Sequence, residues 1–131
     1  MRSKVLLYHL GTDTETGRAL RAVLLSQKIF TLTAEDAQAG ETVGRLVSSN
    51  AAVHDAPPPE TSPQEPFMLL CALGDRQLDR LLAAMRRAGV SVPYKAVLTE
   101  HNKDWTLSAL ITEIAREHEA MKTLQKTDRQ P

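Results

Sequence analysis

The feature that most constrains this chain is a pattern of residues that occurs twice along its length. Residues 6–11 read Leu-Leu-Tyr-His-Leu-Gly, and residues 69–74 read Leu-Leu-Cys-Ala-Leu-Gly. Three further segments repeat in the same order after each of these runs. The matched pairs are 6–11 with 69–74, 20–29 with 81–90, 32–33 with 98–99, and 42–47 with 106–111. Four matches in one order predict two related halves, each built as strand, helix, strand and helix.

A proline-rich stretch separates the two halves. Residues 49–65 contain four prolines and few large apolar side chains, so they cannot build a core and are predicted to form a linker. We therefore divide the chain into a first half, a linker, a second half and a flexible polar tail. Their predicted bounds are 1–48, 49–65, 66–122 and 123–131.

The predicted fold class is α/β, in the form of an α+β sandwich with helices packed on one four-stranded sheet. The runs at 4–10 and 67–73 are almost continuously apolar, which is typical of central strands buried on both faces. The second strands, near 29–33 and 94–99, are more polar and resemble edges. A two-fold relation between the halves allows the ferredoxin-like strand order 4-1-3-2 and the split order 2-1-3-4. We favour the ferredoxin-like order because it places the polar strands at the edges.

Composition limits the kinds of partner that we expect. The chain has 131 residues, with 16 Lys and Arg against 16 Asp and Glu, so its net charge is zero. A sequence-independent nucleic-acid binder needs surplus cations to displace counterions from phosphates, so we expect no nucleic-acid partner. No apolar run reaches the roughly 18 residues of a membrane span. We therefore expect a cytoplasmic protein without a membrane partner.

Residue types that carry catalysis or bind cofactors show no recognisable spacing. The four histidines are His9, His54, His101 and His118. No two of them have the spacing of metal ligands. The single cysteine, Cys71, lies in an apolar strand, where a thiol behaves as a small buried apolar group. Gly11 and Gly74 lack the further glycines of a phosphate-binding loop. We therefore expect no metal and no cofactor, and we favour a non-catalytic protein over an enzyme.

The polar loop between the last strand and the last helix is the best candidate for a binding site. Ligands collect beyond the carboxyl ends of strands in open α/β sheets, and free N–H groups at a helix N-terminus attract anions. The candidate ligand-binding residues are Lys95, Thr99, Asn102, Lys103, Trp105 and Thr106. The alternative is structural, in which Thr106 caps the last helix and Trp105 packs against Leu110 as a hydrophobic staple.

The second half resembles a known protein family. The residues that carry the resemblance are Lys-Ala-Val-Leu-Thr at 95–99, Asn102 and the Trp-Thr pair at 105–106, within residues 67–121. They are similar to a small bacterial family of domains of unknown function, some of whose members are labelled amidophosphoribosyltransferase-like. That label implies an N-terminal catalytic cysteine and an acidic pyrophosphate loop, and this sequence shows neither. The resemblance therefore implies a fold and a candidate face on the residues of that motif, and no reaction.

Two functional hypotheses follow from these patterns. The first is a non-catalytic module that binds a partner protein or self-associates through a sheet edge or an apolar helix face. Four arginines within residues 76–87 lie on one predicted helix, either as a solvated face or as a surface for an acidic protein. The alternative is a module that binds a small anion or a nucleotide, with or without catalysis, in the loop after the last strand.

Overall fold

The computed structural model describes the backbone of residues 2–129 and the side chains of residues 2–124. Four strands and four α-helices follow one another in the predicted order. The elements are β1 (Lys4–Tyr8), α1 (Glu15–Ser26), β2 (Phe30–Ala34), a short 3-10 helix (Asp36–Gln38), α2 (Val43–Ser48), β3 (Phe67–Cys71), α3 (Asp75–Arg87), β4 (Tyr94–Val97) and α4 (Leu107–Arg129). Helix α4 passes the predicted boundary at residue 122. Residues 130–131 of the predicted tail lie outside the described residues.

The four strands form one mixed sheet in the order β2-β1-β3-β4, so the favoured ferredoxin-like order is wrong and the split order is correct. β1 pairs antiparallel with β3, while β2 and β4 run parallel to β1 and β3 at the two edges. Polar edge strands are present in both candidate orders, so our criterion could not separate them. The connections separate them, because α1 and α3 each return the chain beside the strand that it has just left, as consecutive strands usually do.

Helices cover both faces of this sheet. α1 and α3 lie on one face, and α2 and α4 lie on the other. Alternation along β1 directs Val5 and Leu7 to the α1/α3 face and Leu6 and Tyr8 to the α2/α4 face. Every residue of β3 is buried as well. This burial from both sides confirms the prediction that the two most apolar runs form central strands.

The register of the sheet shows which residues of the two halves correspond. β2 and β4 begin beside the first residues of β1 and β3. Residues 30–34 therefore correspond to residues 94–98. The predicted match of 32–33 with 98–99 is two residues out of register, because a pair of residues is too short to fix an alignment.

The two helices of the α1/α3 face correspond through the hydrogen bond that ends each of them. In both, an N–H after the last turn donates to a carbonyl five residues earlier. The bonds are Ile29 N to Leu24 O (3.0 Å) in the first half and Val90 N to Met85 O (2.9 Å) in the second. The preceding residues, Lys28 and Gly89, both have left-handed backbone angles, with φ of 59° and 72°. This alignment places Arg21 of α1 at the position of Leu82 in α3.

The proline-rich stretch forms no helix or strand and packs against the first half. Gln38 donates its side-chain amide to Ala51 O (2.8 Å) and Val53 O (3.0 Å). Ala56 N donates to the Glu41 carboxylate at 2.6 Å. Gln38 and Glu41 are each 1 % exposed. Two buried polar side chains of the first half therefore bind the backbone of the linker.

Candidate functional site

A reciprocal pair of hydrogen bonds closes the polar loop between β4 and α4. Thr99 N donates to Asn102 Oδ1 (2.9 Å), and Asn102 N donates to Thr99 Oγ1 (3.2 Å). Asn102 Nδ2 also donates to Val97 O (2.9 Å). In the first half, Glu35 and Gln38 occupy the corresponding positions and form the same reciprocal pair. Since both halves build this capping box, Thr99 and Asn102 have a structural role in folding the loop.

The N-terminal amides of α4 are engaged by the other half of the chain. Leu107 and Ser108 donate their N–H groups to the carbonyl oxygens of Glu41 and Ala39, both at 2.9 Å. The Thr106 hydroxyl accepts the next helix amide at 3.1 Å, as expected of an N-cap. The predicted anion site depended on free N–H groups here, and the structure uses them in backbone hydrogen bonds.

Helix α2 begins in the same way, with the roles of the halves exchanged. Val43 and Gly44 donate their N–H groups to the carbonyl oxygens of Trp105 and Lys103, at 3.0 Å and 2.9 Å. A side chain at Gly44 would place its Cβ 2.8 Å from the Lys103 oxygen, so this close approach requires glycine. The first turn of each helix is therefore capped by the loop that precedes the other.

The remaining predicted residues point to different parts of the molecule. Trp105 is half-buried against the apolar cluster of the α2/α4 face. Lys95 lies on the opposite face, and its ammonium group donates to Val92 O (3.2 Å). Lys103 is exposed and pairs with Glu100 at 2.7 Å, a hydrogen bond that raises the pKa of the lysine. The six predicted residues therefore do not converge on one cleft, although Thr99 and Lys103 share the rim of a 510 Å³ cavity.

Sequence reasoning missed a polar cluster at the end of β1. The Tyr8 hydroxyl lies 2.9 Å from an Asp36 carboxylate oxygen and 2.7 Å from Pro63 O. His9 Nε2 contacts the same Asp36 oxygen. His9 and Asp36 follow two parallel neighbouring strands, whose carboxyl ends meet at one edge of the sheet. That placement was the available signal, and it requires knowing that β1 and β2 are neighbours.

The electrostatics of this cluster give it a structural role. Hydrogen bonds from His9 and then Tyr8 hold the pKa of Asp36 below its usual value. Burial, followed by the hydrogen bond to Asp36, raises the pKa of Tyr8. Tyr8 therefore stays protonated and Asp36 ionised at neutral pH, and the single phenol O–H lies within hydrogen-bond distance of both Asp36 and Pro63 O of the linker.

Charge is divided between the two faces of the sheet and not between the two halves. The α1/α3 face, comprising residues 11–28 and 74–95, has eight cationic and four anionic side chains. The α2/α4 face, comprising residues 35–65 and 99–124, has four cationic and eleven anionic side chains. The net charges are +4 and −7, so a chain that is neutral in total has one basic and one acidic side.

The cations of the two faces also differ in their partners. Each cation of the α2/α4 face lies within 4 Å of a carboxylate. The pairs are Arg45 with Asp55 (2.8 Å), Lys103 with Glu100 (2.7 Å), Arg116 with Glu113 (3.3 Å) and Lys122 with Glu119 (3.6 Å). Among the side chains that the structure describes, no cation of the α1/α3 face has such a partner. Arg18 and Arg21 donate to acceptors within the chain. The four arginines of α3 make no side-chain hydrogen bond within the described structure, so they are free to meet carboxylates from outside the molecule.

Other chemistry finds little support in the described residues. Within residues 2–124, no group of three or more His, Cys, Asp or Glu side chains is placed to hold a metal ion. Cys71 is buried, and burial raises the pKa of its thiol to about 12, which keeps it protonated. No helix in the described part of the chain is long and apolar enough to cross a membrane.

Comparison with known proteins found a similarity to a protein family in the second half. Residues 66–121 match the family model described as Domain of unknown function (DUF3783). The matched residues run from just before β3 into α4, so they contain β3, α3, β4 and the first part of α4 and exclude the first half. Comparisons with curated proteins and with solved structures gave no match. The DUF3783 match supports the resemblance noted in the second half, at the level of a domain of unknown function.

Proposed function

We propose that this protein is a non-catalytic interaction module whose α1/α3 face binds an acidic surface of a partner protein. The observation that carries the proposal is the contrast between the two faces. Five exposed side chains of this face make no hydrogen bond or ion pair within the described structure: those of Lys28, Arg76, Arg80, Arg86 and Arg87. Every cation of the opposite face is paired. Guanidinium groups without internal partners are suited to bidentate contacts with carboxylates.

A protein fits this face better than a nucleic acid. Carboxylates at Asp13, Glu15, Asp75 and Asp79 interrupt the basic surface, which a polyanion with evenly spaced charges would meet unfavourably. An acidic protein can place its charges so that they avoid these positions. Leu25, on the same side, is 79 % exposed and offers an apolar contact within the charged surface.

The test is a titration of the ¹⁵N-labelled chain with a flexible Glu/Gly peptide, followed by NMR. We expect amide shifts confined to α1 and α3. The variant R76E/R80E should weaken binding at least about tenfold, because two attractive contacts become repulsive. The binding should also weaken as salt is added.

The matched control reverses two charges on the other face, as R116E/K122E. Both residues are already paired there, so peptide binding should stay unchanged. Shifts that map to α2 and α4, or equal binding by R76E/R80E and the unaltered chain, would contradict the proposal. Tighter binding of duplex DNA than of a peptide of equal charge would contradict the assignment to a protein partner.

A further inference from the structure

A groove between α3 and β4 is open on the α1/α3 face. Three cavities of about 190, 260 and 320 Å³ follow it and share lining residues. Its walls include Leu70, Leu78, Leu82 and Val97. Val97 is 50 % exposed, although it is an aliphatic residue in a strand. No described segment of the chain covers this apolar surface.

The corresponding groove of the first half is closed by a side chain. Arg21 crosses it, donating from Nε to Leu10 O (3.1 Å) and from Nη2 to Thr33 Oγ1 (2.9 Å). Leu82 and Val97 hold the positions of Arg21 and Thr33 in the second half. Two apolar residues thus replace an arginine and its acceptor, and the groove stays open. The two halves show that the fold itself does not require an open groove.

The strand beside the groove also has unpaired backbone. β4 lies at an edge of the sheet, and Leu98 N donates inward to Leu70 O (2.9 Å). Alternation along a strand therefore turns the N–H groups of Lys95 and Val97 to the open edge. The Val97 carbonyl already accepts a hydrogen bond from the Asn102 side chain. The backbone that can pair with a further strand therefore runs from Lys95 to the N–H group of Val97.

The two side chains that this stretch places on the groove side differ in chemistry, and this difference favours particular side chains in a partner strand. Lys95 and Val97 stand on the groove side, because they lie beside Met68 and Leu70 of the α1/α3 core. Lys95 and Arg86 both line the 260 Å³ cavity, whose lining contains no carboxylate. One position along the edge is therefore cationic, and the position two residues later is aliphatic.

We propose that this groove binds an extended segment of a partner protein, which adds to β4 as a fifth strand. The segment places a carboxylate side chain beside Lys95 and Arg86 and an aliphatic side chain beside Val97. A lysine in an edge strand opposes pairing with most segments, and an acidic residue beside it removes that opposition. This inference rests on the proposed function, to which it adds the place and pattern of the anchoring contact.

The probe is a short acetylated peptide in which Thr alternates with Glu and Val, titrated into the ¹⁵N-labelled chain. We expect shifts in β4 and on the side of α3 that faces it. The variant L82R/V97T rebuilds the bridge of the first half and should weaken binding at least about tenfold. The matched control, R21L/T33V, opens the groove of the first half and should leave the shifts in β4 unchanged.

If L82R/V97T folds poorly, a second variant tests the same contact by reversing the charge at residue 95 and in the peptide. The variant K95E should lose the Glu-containing peptide and bind a peptide in which Lys replaces Glu. Shifts outside β4, equal binding by a folded L82R/V97T, or no response to the charge exchange would overturn the inference. Shifts in β4 that depend on protein concentration, without peptide, would show that a second copy is the occupant and would also overturn it.

The two proposals fail separately in these experiments. If the Glu/Gly peptide binds and responds to R76E/R80E while the alternating peptide does not bind, the groove is wrong and the basic face stands. If both peptides fail to bind, the proposed function fails as well. If the alternating peptide binds β4 while R76E/R80E leaves Glu/Gly binding unchanged, the outer arginines are not the docking surface.

Discussion

The two halves of this protein have the same order of strands and helices. They differ in whether polar side chains cover the groove beside the edge strand. In the first half, the Arg21 side chain covers the groove by its hydrogen bonds to Leu10 and Thr33. Gln38 and Glu41 hold the linker against the opposite face. The second half leaves its groove and its edge strand open beside Lys95 and Val97. A difference at corresponding positions cannot arise from the fold alone. It identifies the open surface of the second half as the place to look for a partner.

The largest expected effect tests whether the halves are energetically equivalent at their shared centre. Leu6 and Leu69 lie opposite each other in β1 and β3, and both are 0 % exposed. We expect L6A and L69A each to lower the free energy of unfolding by about 3 kcal/mol, because each leaves a cavity in the same core. Urea denaturation measures both. A difference of more than about 2 kcal/mol between them would break the equivalence.

The next prediction compares the stability that the buried side-chain amide of Gln38 contributes with the stability that the half-exposed side-chain amide of Asn102 contributes. Q38A removes three hydrogen bonds at a 1 % exposed site, so we expect a loss of about 2–3 kcal/mol in unfolding free energy. N102A removes two hydrogen bonds, with Thr99 N and Val97 O, where water can replace them, so we expect a loss of about 1 kcal/mol. Equal losses in thermal and urea denaturation would show that the linker contacts add nothing.

A smaller change in stability, of opposite sign in the two halves, is expected at the residues with left-handed backbone angles after α1 and α3. G89A should destabilise the protein by about 1 kcal/mol, since a side chain is strained at φ of 72°. K28G should stabilise it by up to about 1 kcal/mol, since lysine there has φ of 59°. K28A serves as the control and should give no gain. A gain with alanine would mean that loss of the lysine side chain, and not relief of the backbone, is responsible.

The smallest expected effect concerns the pH dependence that the first half acquires through Asp36. Its pKa is lowered in the folded state, so its stabilising contribution is complete above the unfolded pKa and is lost as pH falls through the folded pKa. The side chain is 57 % exposed, so we expect only a few tenths of a kcal/mol. D36N should be less stable than the unaltered chain at pH 7 and equally stable near pH 2. An unchanged difference at both pH values would contradict this.

Local features of the fold could be predicted from sequence because they depend on neighbouring residues. The continuous apolar runs predict the central strands β1 and β3, and Thr106 is a recognisable cap before an apolar stripe. Strand order depends on how the chain returns after each helix. The polarity of the edge strands carries no information about that return, since both orders place the same strands at the edges.

The charged face and the polar cluster were harder to predict. Their residues are distant in sequence and meet only because α1 and α3 share one face of the sheet and the ends of β1 and β2 share one edge. Counting charges by halves gives near balance, whereas the separation follows the two faces of the sheet. Assigning a helix to a face requires the strand order, which was predicted wrongly. The cluster of Tyr8, His9 and Asp36 was missed for the same reason. The loop at 95–106 attracted the prediction because its polar residues are adjacent in sequence, and most of them are used to fold the loop.

The exchanged caps at the starts of α2 and α4 have a consequence for any shorter version of this chain. Val43 and Leu107 each donate an N–H group to a carbonyl in the loop of the opposite half, and β1 pairs with β3. A fragment limited to residues 66–121 would lack both partners at once. A second identical fragment, related by a two-fold axis, would present the equivalent carbonyls and the equivalent strand. In this chain, the first turns of both helices and the central strand pair are therefore completed only when both halves are present.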